Sequence, residues 1–342
     1  MAQRVILHIG TMKSGTSFLQ ALLFSQQQHL AAHGVLVPGK DWGDQVRAVR
    51  TVLRGEQKPW QDMARQVAAH DGTAVISMEF LGPAKRKNAE RVLAPYRRSD
   101  VQIVVTARDL NRTLVSMWQE TVQNGRAWTW QEYYEGARDT APGTGRGDQD
   151  RTTAAGTFWR QQNLARILAD WSDLVGVSNT TLVTLPPPGA ANGELTERFA
   201  AATGLPIDLE RPVPRANESI GLASALVLRE MNAALAERGF GGAAGQGLRK
   251  GQIAKNTLAA LARDEPRLGL SVADWVVEQT EATRRRVTEL GVPVVGPLSD
   301  LDPVEVPGIA IEDVDPELRA RAATAALTEA VAQHPSVGEA KA

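Results

Sequence analysis

No cysteine occurs among the 342 residues. Disulfides, thiolate zinc sites and a cysteine nucleophile are therefore excluded, and the chain is compatible with a reducing compartment. Charge of one sign is not in excess either. Thirty-eight Lys and Arg stand against 39 Asp and Glu, a net charge of −1. No global field draws the chain to nucleic acid or to an anionic membrane, although a local basic site fits that balance. Long hydrophobic runs are missing: no stretch approaches the roughly 20 apolar residues of a membrane span. The run Val5–Ile9 is short and leads into glycine, lysine and serine, with no small-residue cleavage pattern. It is unlike a signal peptide, and the expected location is the cytoplasm. The five histidines, His8, His29, His33, His70 and His334, form no HExxH or other close metal-ligand spacing, so no metal is expected.

What is present is ordinary for a soluble globular protein: 43% hydrophobic and 23% charged residues. The first hundred residues alternate strand and helix patterns. Val5–Ile9, Thr73–Met78, Val101–Thr106 and Thr180–Leu185 are short apolar or β-branched runs that predict strands. Val292–Val295 predicts an edge strand, where Pro293 is tolerated. Thr16 to about Ala32 carries a helical stripe stopped by Gly34, and Leu110 to about Val122 predicts a second helix. Strands separated by helices argue for an α/β fold with a mainly parallel sheet flanked by helices. Beyond Thr157 the pattern is mostly helical, over Thr157–Leu174, Leu195–Thr203, Ala216–Glu237 and Ala273–Leu290. Asp315-Pro316-Glu317 predicts a helix start. Asp139–Gly156 and Gly239–Gly247 predict loops, either lids or tolerated surface insertions.

The most informative segment is Leu7–Leu23, LHIGTMKSGTSFLQALL. A strand ends at Gly10, a tight loop covers Thr11–Gly15, and a helix starts at Thr16. Such a loop points successive backbone N–H groups at one spot, and the helix N-terminus adds partial positive charge. Lys13 adds a full charge, while Ser14, Thr16 and Ser17 add hydroxyls. With 30 glycines in the chain, a G-x₄-G pair means little by itself. Its place between an apolar strand and an apolar helix is what singles it out, against the alternative of a plain strand–helix turn. A nucleotide triphosphatase loop ends in Gly-Lys-Ser/Thr, the last hydroxyl binding Mg²⁺. Here Gly15 precedes Thr16 and the lysine comes earlier, at Lys13.

Lys13-Ser14-Gly15-Thr16-Ser17 resembles the 5′-phosphosulfate loop, K-[ST]-G-T-[ST], of sulfotransferases that use 3′-phosphoadenosine-5′-phosphosulfate (PAPS). A second segment, VQIVVTARDLNRTLVSMWQ at 101–119, resembles that family's 3′-phosphate-binding stretch, in which Arg-x₇-Ser follows a strand. The resemblance implies that Lys13, Ser14, Gly15, Thr16 and Ser17 bind the donor's 5′ side and that Arg108 and Ser116 hold its 3′-phosphate. Ser116 lies two turns into a helix and reaches the site only if that helix crosses near it. Taken alone, Arg108 also suits a surface ion pair with Asp109. Many members read R-D-P with a second arginine five positions on. This chain reads Arg108-Asp109-Leu110 with Arg112 four positions on, so Arg112 does not carry over, and the wording looks like a bacterial branch. Phe18 stands where many members stack an aromatic ring on adenine, and it suits a core position equally well. Arg249-Lys250-Gly251 matches a short family string that three residues also meet by chance.

The family's base, a histidine or glutamate, ends the strand before the 3′-phosphate strand. That position is Glu79, which as an isolated residue also suits a solvated turn or a helix cap. With Lys13 it makes up the expected catalytic pair, and His8 reads as a core residue. The implied fold is a three-layer one like that of P-loop proteins. It would form one domain over residues 1–310, with a donor-binding core at 1–125 and a helical elaboration at about 155–290. A C-terminal helix and frayed tail would occupy 311–342. The implied reaction moves a sulfuryl group from PAPS to a hydroxyl or amine of a small molecule, glycan or lipid, without a metal. Two rivals stand: a P-loop kinase or nucleotide hydrolase, disfavoured by the missing Gly-Lys-Ser/Thr, and a non-catalytic nucleotide-binding protein. The aromatics Trp42, Trp118, Trp128, Trp130, Tyr133 and Tyr134 suit an acceptor pocket or a core. Acceptor identity and oligomeric state are not encoded in any motif of this chain.

Overall fold

Six strands form along the chain: β1 (Arg4–His8), β2 (Val35–Leu36), β3 (Thr73–Ser77), β4 (Asp100–Ala107), β5 (Thr180–Thr184) and β6 (Val294–Val295). The computed structural model describes residues 2–144, 150–213, 219–240 and 247–333. All strand pairings are parallel, and the sheet order is β2-β3-β1-β4-β5-β6. The α/β class and the parallel sheet follow the sequence expectation. The expected edge strand is β6, whereas β2 at the opposite edge is too short to leave a run in the sequence.

Alternate residues of a strand face opposite sides of the sheet. In β1, Val5 and Leu7 pack into one apolar cluster and Ile6 into another. The same split places Ala74 and Ile76, Ile103 and Val105, and Leu182 on the first face, with Val75, Val104 and Val183 on the second. Both faces are covered, so the strands read as continuous apolar runs. The first face is covered by helices Trp42–Arg54, Lys58–Ala68, Arg86–Leu93 and Leu164–Val175. The second is covered by Thr16–Ser25, Gln27–Ala32 and Glu194–Thr203.

The sequence periodicity did not resolve Trp42–Arg54, Lys58–Ala68 or Arg86–Leu93 as helices. The first of these carries a local start signal, Asp41, whose carboxylate accepts from the Asp44 amide at 3.1 Å. Two expected helices are each divided. Thr16 to Ala32 breaks at Gln26, whose side chain is drawn to Asp208 through its carbonyl and amide, both at 2.9 Å. Thr157–Leu174 breaks at Asn163, which caps the second piece by accepting from the Arg166 amide at 3.1 Å. Asp315 caps Pro316–Ala332 as expected, accepting from Glu317 at 2.8 Å.

The chain divides into two compact units. The first comprises Met1–Leu110, Thr157–Ala216 and Val277–Asp302, and holds the whole sheet. The second comprises Asn111–Gly156, Asn217–Val276 and Pro303–Ala342. It is helical, and buried amides tie its loops to its helices. Asn111 donates to the carbonyls of Leu270 and Val304 at 3.0 and 2.9 Å, and Asn232 to those of Val122 and Arg126 at 2.8 and 3.1 Å. Of the expected loops, residues 145–149 and 241–246 lie outside the described residues, as do Ala216, at the expected start of one helix, His334 and the tail after it.

Candidate functional site

The connection leaving β1 runs towards β2, and the one leaving β4 runs towards β5, in opposite directions along the sheet. Two such diverging connections open a crevice at the carboxyl ends of the strands, which is where ligands gather in open α/β sheets. The loop 10–15 starts at this point. Its entry is clamped to β4, with the Thr11 amide donating to the Thr106 carbonyl at 2.6 Å and the Thr106 amide to the Gly10 carbonyl at 2.5 Å. On another side, the Gln162 side chain donates to the Met12 carbonyl at 3.0 Å.

Three residues of the loop have left-handed backbone: Gly10 at φ 100°, Lys13 at φ 64° and Gly15 at φ 81°. Glycine accepts that conformation without penalty, and a lysine there is uncommon. Gly10 is also fixed by a close approach, since a Cβ on it would sit 3.0 Å from the Cβ of Glu79. Helix Thr16–Ser25 begins at Gly15 with no side-chain cap and no acidic residue in its first turn. Its first N–H groups have no carbonyl of their own helix to pair with. An anion is the natural complement of such a terminus.

Glu79 opens a single 3₁₀ turn, Glu79–Leu81, separated from the end of β3 by Met78. It is buried, and Gln20 holds it. The Gln20 amide nitrogen donates to Glu79 Oε2 at 2.6 Å and to the Ser77 carbonyl at 3.2 Å. Both partners are acceptors, so the orientation of the Gln20 amide is fixed. Arg108 follows the last residue of β4 and is half-buried, with Asp109 next to it fully buried. Arg108 therefore sits at the same carboxyl edge as the loop.

The other expected site residues differ from one another in their surroundings. Ser14 is fully buried, and its hydroxyl donates to the Thr11 carbonyl at 2.6 Å, so its proton serves the loop itself. Thr16 is buried and Ser17 is exposed. Ser116 belongs to the second unit, where its hydroxyl donates to the Arg112 carbonyl at 2.8 Å, one turn back in the same helix. Lys250, within the π-helix Gly247–Leu258, pairs with Glu120 and Asn124 of the second unit, each at 2.7 Å. Arg249 donates to the Phe240 carbonyl at 3.1 Å. Phe18 lines an open cleft of about 290 Å³, together with Leu185, Pro186 and the stretch 189–196. Of the aromatics, Trp118 and Tyr133 are core, and Trp130 and Tyr134 cluster with them and with Trp275.

No family model matches the chain, and no curated protein sequence matches it. A solved structure, a sulfotransferase from Alicyclobacillus acidocaldarius, is similar to it. The two are 14% identical with a TM-score of 0.39, over 68% of this chain and 94% of that one. Among the described residues, no group of three or more His, Asp or Glu is placed to hold a metal ion, and no helix is long and apolar enough to cross a membrane.

Sequence reasoning missed Gln20, Gln162 and Thr106. Gln20 sits in the apolar run of a helix, at a position that reads as neither core nor surface, and that mismatch is the one signal it leaves. His8 is wholly buried, in keeping with a core position. It joins Ser77 at 2.7 Å through Nδ1 and Thr106 at 3.1 Å through Nε2, and its ring meets Phe199 edge-on at 5.3 Å.

Burial pushes the His8 imidazole down to about 3 from an ordinary 6.5, because a charged ring inside the sheet would lose its hydration. Between those values the unfolded chain binds a proton that the folded chain does not. The contribution of His8 to stability is therefore whole above about pH 6.5 and is lost as pH falls towards about 3. The slope reaches at most about 1.4 kcal/mol per pH unit. Urea titrations across this range should show stability falling with acid, and His8→Gln should flatten the fall. An equal slope in the variant would assign the acid sensitivity to other groups.

Proposed function

We propose that the chain is a sulfotransferase that takes a sulfuryl group from PAPS and passes it to a hydroxyl or amine of a small molecule, glycan or lipid. The observation that carries this reading is the loop at the sheet's crevice. It combines a left-handed Lys13 placed before Gly15, an uncapped helix N-terminus, and Glu79 packed against Gly10. The residues suit an anionic donor: an uncapped helix start and a lysine belong to one loop, and that loop lacks the Gly-Lys-Ser/Thr end that organises Mg²⁺ in triphosphatases. When bound, the donor supplies an activated sulfuryl group on a 5′-phosphate that leaves as charge builds on it.

This chain's residues have separable roles in that reaction. Lys13 and the loop amides bind the 5′-phosphate and stabilise the charge it gains. Glu79, oriented by Gln20, takes the proton from the acceptor hydroxyl. Arg108 binds the 3′-phosphate at the end of β4, and the cleft beside Phe18 suits a flat base. The location that follows from this reading is the cytoplasm.

Arg108→Ala tests the donor assignment. It should weaken adenosine 3′,5′-bisphosphate by about 10- to 150-fold, since a charge-assisted bond to phosphate contributes about 1.5–3 kcal/mol. Adenosine 5′-monophosphate should bind the variant and the wild type alike. Calorimetry with both nucleotides decides. Equal losses for the two would place the 3′-phosphate away from Arg108, and tighter binding of ATP–Mg²⁺ than of the bisphosphate would favour the kinase reading.

A further inference from the structure

Four buried polar side chains form one continuous path across the carboxyl ends of three neighbouring strands and into the loop. Ser77 of β3 meets His8 of β1, His8 meets Thr106 of β4, and Thr106 Oγ1 meets Ser14 Oγ at 2.7 Å. Ser14 then reaches the Thr11 carbonyl. All four side chains are buried to within a few per cent.

The direction of every bond in the path follows from its last member. A carbonyl only accepts, so Ser14 spends its single proton on Thr11. Ser14 must then accept from Thr106, which spends its own proton there. Thr106 can in turn only accept from His8, which therefore carries its proton on Nε2. A neutral ring then presents a bare Nδ1, and Ser77 donates to it. One tautomer of one histidine satisfies the path, and a buried path with every member satisfied is rigid.

We propose that His8 and Thr106 are positioning residues that hold the anion loop in its binding conformation. This rests on the reading of that loop as the donor site. Thr106 clamps the loop entry twice, through its backbone to Gly10 and Thr11 and through its hydroxyl to Ser14. The side-chain clamp acts two residues before the uncapped helix start, next to Lys13, whose left-handed backbone is not self-sustaining. Without it, His8 Nε2 loses its acceptor and Ser14 keeps the Thr11 carbonyl but loses the donor to its own oxygen, so the loop gains a reason to rearrange. A loop that spends less time in its competent form binds its ligand more weakly by that fraction.

Thr106→Val keeps the shape and removes the hydroxyl, whereas Thr106→Ser keeps the hydroxyl. Three readouts apply: the nitrogen NMR of His8, amide hydrogen exchange over residues 11–16, and calorimetry with adenosine 3′,5′-bisphosphate. The expected result is a neutral His8 protonated on Nε2 near pH 7. Loop exchange should be faster in Thr106→Val alone, with affinity reduced about 10-fold or more there and restored in Thr106→Ser. A His8 proton on Nδ1, or a charged ring, would overturn the proposal. So would a Thr106→Val protein that unfolds more easily yet keeps wild-type affinity and loop exchange. If the wild type does not bind the bisphosphate, the donor reading falls. The ring tautomer and loop exchange then still decide whether this path holds the loop.

Discussion

Glu79→Gln is expected to lower kcat by about 10²–10⁴-fold, the usual span for loss of a general base. Affinity for adenosine 3′,5′-bisphosphate should stay unchanged, because the variant keeps the size and shape of the side chain beside Gly10. The geometry sharpens the expectation. Gln20 turns its amide nitrogen to both Glu79 and the Ser77 carbonyl, so it offers a donor to the side chain at position 79. A carboxylate accepts that bond through either oxygen. A glutamine accepts it only through its single carbonyl oxygen, so its own amide group must point away from Gln20, where a base is wanted. The check is steady-state kinetics over a pH series with labelled PAPS. A near-normal kcat would place the base elsewhere.

The second large effect is expected from Lys13→Ala, a fall of about 10²–10³-fold in turnover with a smaller change in donor affinity. Loss of one preorganised donor aimed at developing charge typically costs about 3 kcal/mol. The bound ground state keeps the backbone donors of the loop, so binding is less sensitive than rate. Alanine is the right replacement here. Lys13 has left-handed backbone, and alanine carries the same Cβ burden as lysine, so the variant removes the ammonium without relaxing the loop. Glycine would do both and confuse the two effects. Single-turnover kinetics beside a donor titration separates rate from affinity. An unchanged rate with weaker donor binding would reduce Lys13 to a binding residue.

Much of the sheet was legible in the sequence, for a physical reason. Strands buried on both faces leave continuous apolar runs, as in Val5–Ile9 and Thr73–Met78, and four of the six strands stand out this way. The fifth, Val294–Val295, falls within the short run Val292–Val295, whose proline suits an edge. The remaining strand, Val35–Leu36, has two residues and pairs with β3 alone. Helix Lys58–Ala68 buries Trp60, Met63, Ala64 and Val67 on one stripe, a pattern present in the chain and passed over among its polar neighbours. The breaks at Gln26 and Asn163 are different in kind. Each is made by an amide side chain that finds a backbone partner, and periodicity carries no record of such a bond.

The sequence by itself determined the loop. LHIGTMKSGTS sets a strand, a glycine-framed turn, a lysine and a helix start in consecutive positions, and neighbours in the chain need no fold to bring them together. It also determined that Glu79 and Arg108 each come just after a strand, because both are local facts. Only the tertiary structure decided that β1 lies between β3 and β4, which sets Glu79 and Arg108 on either side of the loop. It alone decided what holds Glu79 and the loop in place: Gln20 on Glu79 across 59 positions, Thr106 on Ser14 across 92 and on His8 across 98, and Gln162 on Met12 across 150. Periodicity reports which side of a helix or strand is buried, one element at a time. It does not report which buried polar group meets which, since parallel strands joined by crossovers bring together residues that the chain keeps far apart.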